Sequence, residues 1–206
     1  MTPIKINNML KFKEEILRKL VHFSSLWIPF LYFYNSTAFM LRILISLSIL
    51  ALSLDISKKF IPSLNILIKK LMGSIMREEE KSSNSLSGAT YLLVASTLTI
   101  AFFPKEIAIF SLSILVISDS MAAIIGKKYG RIHFMNKSLE GSLSFAASAY
   151  AIYYYFANYL EFNLPFKATL IAIFFGTIAE AFAKKIHLDD NLLIPLSISF
   201  SLLLGS

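Results

Sequence analysis

The sequence predicts an all-α polytopic membrane protein, with about seven transmembrane helices and one interfacial amphipathic helix. Three observations predict it. Of 206 residues, 56% are hydrophobic and 16% charged, against about a quarter charged in a soluble domain. Mean hydropathy is +0.65. Apolar segments recur at close to the length of a membrane span, about 20 residues. Seven spans use about 140 residues, so residues 1–206 read as one integral membrane domain with its chemistry in spans or short loops. The absence of Cys excludes a disulfide framework, a thiolate nucleophile and a Cys-based zinc site.

Residues 1–18 read as a cytoplasmic N-terminal tail. The spans are expected at roughly 19–35, 37–54, 86–103, 105–126, 139–160, 167–183 and 191–205. A basic stretch precedes the first span, but no A-x-A cleavage pattern follows it, so it is expected to stay as an anchor. Residues 58–87 differ. Phe60, Leu64, Leu67, Leu71 and Ile75 recur at helical spacing, with Lys69 and Lys70 among them. That pattern predicts a helix lying in the interface plane over 58–76, with Pro62 in its first turn. A polar loop should follow, and its Glu78-Glu79-Glu80 run reads as a solvated patch.

The net charge of +7 has a topological explanation. Seventeen of the 20 Lys and Arg fall in the N-terminal tail and the even-numbered loops. The positive-inside rule then puts the N-terminus and those loops in the cytoplasm, of the plasma or inner membrane in a prokaryote. Nucleic acid is not needed to account for the charge.

The acids are not explained this way. Intramembrane carboxylates are costly and mark function. Asp119 lies near the end of the fourth span, Glu140 opens the fifth, Glu180 is late in the sixth, and Asp189 and Asp190 precede the seventh. All five fall on the basic face. The densest stretch, 118–142, reads SDSMAAIIGKKYGRIHFMNKSLEGS. Asp119, Ala123 and Gly126 share a helix face, which suits either a ligand beside the backbone or close helix packing. Lys127 and Gly130 follow.

Asn136-Lys137-Ser138 then leads into Glu140-Gly141-Ser142 at the start of the fifth span. Free N–H groups at a helix N-terminus favour anions, Gly141 permits close approach, and Lys137 offers a point charge to phosphate. Glu140 could complement the helix dipole or join a carboxylate, divalent cation and phosphate arrangement. Walker and dinucleotide-binding glycine patterns are missing. Upstream, Arg18 and His22 share a helix face beside Lys19, as membrane anchors or as site cations. His133 and His187 lack metal-ligand spacing.

The run D-S-M-A-A-I-I-G-K-K-Y-G, followed by N-K-S-L-E-G-S, resembles the CTP-dependent lipid alcohol kinases, the family of phytol, dolichol and CTP-using diacylglycerol kinases. R-K-L-V-H at 18–22 and Glu180 with D-D-N-L-L-I-P at 189–195 fit the same family. The wider superfamily includes phosphatidate cytidylyltransferase, whose corresponding stretch tends to read P-K-K-T-W-E-G. The resemblance implies transfer of the γ-phosphoryl group of CTP to a membrane lipid alcohol, with Mg²⁺ or another divalent cation such as Ca²⁺.

It implies phosphate-side roles for Lys137, Arg18 and Lys19. Gly126, Lys127, Gly130, Ser138 and Gly141 would form a nucleotide cradle, and Asp119, Glu140, Glu180 and Asp190 the metal ligands. The base is left open among Glu140, Glu180 and Asp190. Oligomeric state is also open, a homodimer included. Two other classes are to be tested: a cytidylyltransferase making a CDP-lipid, and a small transporter or structural membrane protein.

Overall fold

The computed structural model describes residues 3–73, 75–76, 80, 82, 85–134, 137–186 and 188–205, the side chains of 3–11 and 184 excepted. Arg77, Glu78, Glu79, Lys81, Asn136 and His187 lie outside the described residues.

Helix α1 runs Pro3–Ser24 and α2 Trp27–Tyr34. The segment expected as a first span is therefore broken, and most of the expected tail is helical. Pro29 explains the break. It has no N–H to give Ser25, and the Ser25 carbonyl accepts instead from Ile28 N at 3.0 Å, an i−3 bond that turns the chain. Helix α3 (Thr37–Phe60) starts at Ser36, whose hydroxyl accepts from Phe39 N. Only the stripe Met40, Leu44, Ser48, Asp55 and Lys58 is buried. The opposite face exposes Ile45, Ile49 and Leu54.

Pro62 opens α4 (Pro62–Met72), which buries no residue of its own, as expected of a helix lying on a surface. Helices α5 (Gly88–Phe102) and α6 (Lys105–Tyr129) follow. Helix α6 is the axis of the molecule. Its apolar stretch is 78% buried, against 17% for α3, and it packs against α1, α2, α5, α7 and α9. Phe110, Leu112, Ile114 and Leu115 fill the core there. A two-stranded antiparallel hairpin, β1 (His133–Phe134) and β2 (Lys137–Ser138), joins α6 to α7 (Leu139–Tyr159). This strand pair was not expected of an all-α chain. Helix α8 (Phe166–Phe182) pairs with α9 (Asp190–Gly205), and a 3₁₀ turn at Ala183–Ile186 connects them.

The helical class and seven of the expected segments are recovered, from α3 to α9, with small changes at their ends. By length and composition, α3 and α6 can cross a membrane, while α5 and α9 are shorter apolar helices. The count of seven spans is not established by these helices.

Candidate active site

Gly126 on α6 and Gly141 on α7 let two helices touch. A Cβ on Gly141 would meet the Ala122 carbonyl at 2.9 Å, and one on Gly126 would meet Ser138 Oγ at 2.8 Å. These glycines therefore set the crossing of α6 and α7, and Gly130 seats the hairpin against Ser138 in the same way. Ser138 caps α7, its Oγ accepting from Gly141 N at 3.1 Å. The crossing holds Lys137 at the hairpin's end, facing α8 and α9.

A polar cavity of about 260 Å³ opens at this crossing. Arg18 and Lys19 reach it from α1, Gly126 and Lys127 from α6, Lys137 from β2, and Glu180 and Asp190 from α8 and α9. Residues up to 175 positions apart, Glu15 and Asp190, thus share one wall set. Two buried ion pairs dominate it. Lys19 Nζ donates to Asp119 Oδ2. Lys137 Nζ donates to Glu180 Oε1 at 2.6 Å and lies 3.9 Å from Asp190 Oδ2.

Asp119 is 1% exposed and stands behind the cavity wall, with Lys19 between it and the space. Its Oδ1 is buried with no hydrogen-bond partner among the described residues. His22 Nε2 is 3.7 Å from Asp119 Oδ2 and 3.3 Å from the Leu115 carbonyl oxygen. A carbonyl only accepts, so a hydrogen bond there needs the proton on Nε2. Burial pulls the Lys137 ammonium down, but the charges of Asp119, Glu180 and Asp190 outweigh it and hold its pKa above the ordinary lysine value.

Three residues were not singled out in the sequence. Glu15 bridges Arg18 and Lys127 at the rim, with its Oε2 3.3 Å from Lys127 Nζ. Its signal was the i, i+3 spacing to Arg18. Asp55 and Lys58 form a buried pair of the same spacing on α3, hidden in what reads as the end of an apolar span.

Glu140 is not brought to the cavity. Its Oε1 accepts from Arg131 N at 3.0 Å and Ile132 N at 3.3 Å. The chain has just left α6 there, and these N–H groups need an acceptor. Asp189 likewise serves backbone, accepting from Asn191 N at 2.9 Å where α9 begins. Among the described residues, no group of three or more His, Asp or Glu is placed to hold a metal ion. Asp119 and Glu180 face lysines, and Glu140 faces backbone. Of the four carboxylates expected to hold a divalent cation, Glu180 and Asp190 both reach Lys137, Asp119 pairs with Lys19, and Glu140 stands apart on the loop backbone.

Relatives share this architecture's sequence. An uncharacterized protein of Rickettsia prowazekii is 31% identical over 191 residues, 92% of this chain and 94% of its own. The CTP-dependent diacylglycerol kinase 1 of Schizosaccharomyces pombe is 33% identical over 65% of this chain and 66% of that protein. The chain belongs to the CTP-dependent lipid alcohol kinase family. It is accordingly an enzyme, a lipid alcohol kinase. Another relative is the chloroplastic phytol kinase 1 of Arabidopsis thaliana, 29% identical over 62% of this chain and 46% of its own. The lipid alcohol kinase described here thus spans about two thirds of the yeast relative's length and under half of the plant one's. No protein-family model matches the chain, and no solved structure matches it.

Proposed function

We propose that this kinase uses CTP to phosphorylate the hydroxyl of a membrane lipid alcohol, with the triphosphate in the polar cavity. The observation that carries the reading is the convergence of Arg18, Lys19, Lys127 and Lys137 on one small space. The donor and acceptor classes come from relatives named as CTP-dependent diacylglycerol kinase and phytol kinase.

Phosphoryl transfer needs little covalent help from protein. It needs positioning and charge where the transferred group spreads its negative charge. In the resting site each lysine is matched to a carboxylate, which holds it aimed. An arriving phosphate would share each lysine with its carboxylate rather than displace it, because Asp119 and Glu180 are buried and a buried charge left unpaired costs about 3–5 kcal/mol. Lys137 and Lys127 would contact the phosphates. Lys19, oriented by buried Asp119, would stabilise the transferring group together with Arg18.

The lipid hydroxyl oxygen then bonds to the γ-phosphorus as the bond from that phosphorus to the β,γ-bridging oxygen breaks. CDP leaves with the electron pair, and the hydroxyl proton passes to a carboxylate, Glu180 or Asp190. In this reading Asp119 is a positioning residue, because Lys19 covers it. The seven-span topology with N-terminus and site on the cytosolic side belongs to the same proposal, supported by the lysine and arginine distribution.

Label transfer tests the reading. With purified chain in vesicles, γ-labelled CTP should label the lipid and α-labelled CTP should not. Label entering lipid only from α-labelled CTP would replace the kinase reading with a cytidylyltransferase.

A further inference from the structure

A second cavity adjoins the first. It has a volume of about 440 Å³, within the usual range for small-molecule sites of about 300–1,000 Å³. Val21, Trp27, Ala51, Leu54, Ile68 and Leu92 make its walls mainly apolar. These residues come from α1, α2, α3, α4 and α5, none of which supplies the glycine crossing. Arg18 and Lys19 line both cavities and give the second its cationic end, while Asp55, Glu80 and Ser87 add polar atoms elsewhere on its wall. His22, beside Asp119, faces the apolar side of this boundary. Helix α9 reaches both spaces at successive residues, Asp190 in the polar cavity and Asn191 in the apolar one.

We propose that the apolar cavity holds the hydrocarbon chain of the acceptor alcohol, with its hydroxyl delivered at Lys19. This rests on the phosphoryl-transfer reading above and assigns its second substrate a place. Three observations select this occupant. The walls suit a hydrocarbon, and the one cationic end suits a hydroxyl about to bond to phosphate. Continuity through Arg18 and Lys19 brings the two reacting ends together without either substrate crossing the other's site. One wall is α4, a helix with no buried residue that exposes Ile66, Leu67 and Leu71, next to exposed Phe60 at the end of α3. Such a helix, lying on the bilayer surface, leaves a path for a lipid entering sideways beneath Ile68 and Met72.

The experiment fills the cavity in the full-length chain. Ala51→Phe and Leu93→Trp, both at residues that line the cavity, should each raise KM for the lipid alcohol by about tenfold or more, since a single methylene in an apolar pocket already shifts discrimination 10–200-fold. KM for CTP should stay within about twofold, because Arg18 and Lys19 are untouched. A rise in KM for CTP with an unchanged lipid KM would overturn the inference and place the nucleotide base in this cavity. Unchanged constants for both substrates would overturn it too.

A second arm guards against misfolded variants. A long-chain alcohol carrying a diazirine, activated by light on the wild-type chain, should label peptides of α3, α4 and α5, and unlabelled alcohol should compete. Label confined to α7 and α8 would overturn the proposal. This arm needs no turnover. A chain that labels α3 to α5 but transfers no γ-phosphate would therefore sink the kinase reading and leave the lipid site standing.

Discussion

Two buried aspartate and lysine clusters sit in this molecule, and they differ in what is left over. On α3, Asp55 Oδ2 accepts from Ser87 N at 2.7 Å and from Thr90 Oγ1 at 2.6 Å, and Lys58 Nζ lies 3.0 Å from Asp55 Oδ1. Both Asp55 oxygens face a donor or a cation, and the atom left without a hydrogen-bond partner among the described residues is Lys58 Nζ; the result ties the end of α3 to the start of α5. At the polar cavity, Lys19 meets one oxygen of Asp119 while the other is buried and unpartnered among the described residues. A buried carboxylate oxygen without a donor is costly. A closed cluster holds a fold together; an open one beside a cavity holds groups ready for a ligand. Both look alike in sequence, as acids within apolar helices.

The sharpest way to break this comparison is Asp119→Asn. If the open cluster serves catalysis, kcat should fall by about 100- to 1,000-fold, the scale of losing one aligned electrostatic contact in a transition state. The amide still fills the space and accepts a hydrogen bond, so detergent-extracted protein should keep its elution volume. Near-normal kcat in folded Asp119→Asn would show that Lys19 needs no orienting charge.

Lys137 comes next. Lys137→Ala should raise KM for CTP by about tenfold, the worth of one charged hydrogen bond of roughly 1.5 kcal/mol, with a smaller change in lipid KM. The pH profile gives an independent check. The pKa of Lys137 is raised above its ordinary 10.5, so whatever its charge contributes is fully present below that value and is lost only as pH rises through the raised one. From about pH 7 to 9, where an ordinary lysine is already charged, KM for CTP should not rise through loss of this proton. A steep rise in wild type that vanishes in Lys137→Arg would contradict the assignment.

The closed cluster should answer in the other currency, stability. Asp55→Ala leaves Lys58 buried without its carboxylate, and removing one member of a buried pair costs about 3–5 kcal/mol. Thermal unfolding in detergent should show a large drop in midpoint. Protein that remains folded should bind CTP as wild type does, read by equilibrium binding rather than by turnover. Loss of CTP binding at unchanged stability would make Asp55 part of the site and erase the distinction between the clusters.

Much of this was legible before any coordinates. The helices from α3 to α9 follow from apolar length, with Pro62 and Ser36 marking two starts. The 118–142 stretch and Arg18-Lys19 do converge on one cavity. What was not legible was which donor each carboxylate meets, because that depends on contacts 43 residues apart for Glu180 and Lys137, and 100 apart for Asp119 and Lys19. Local spacing cannot encode such pairings. The glycines illustrate the same limit: the sequence leaves open a ligand face or close helix packing, and Gly126 and Gly141 sit at a helix crossing while also lining the cavity. The break before α2 comes from Pro29, which the apolar run around it conceals.

Glu140 supplies the smallest expected effect and the finest test of the comparison. Motif position groups it with Asp119; Oε1 accepts two backbone N–H groups of the loop after α6, as Asp55 accepts from Ser87 N, while Oε2 has no hydrogen-bond partner among the described residues. As a fixture of that loop it would act only through the hairpin that carries Lys137. Glu140→Gln keeps one oxygen acceptor at the same reach, so the loop should hold and kcat should change by no more than about tenfold, well short of an aligned catalytic contact. Glu140→Ala should cost more than the glutamine variant, and it should do so chiefly in KM for CTP, as Lys137 loses its fixed anchor point. Single-turnover measurement with saturating CTP separates the two cases. If Glu140→Gln falls as far as Asp119→Asn at saturating CTP, its negative charge is needed in the transition state, and the closed contact seen at the loop is not the one made during the reaction.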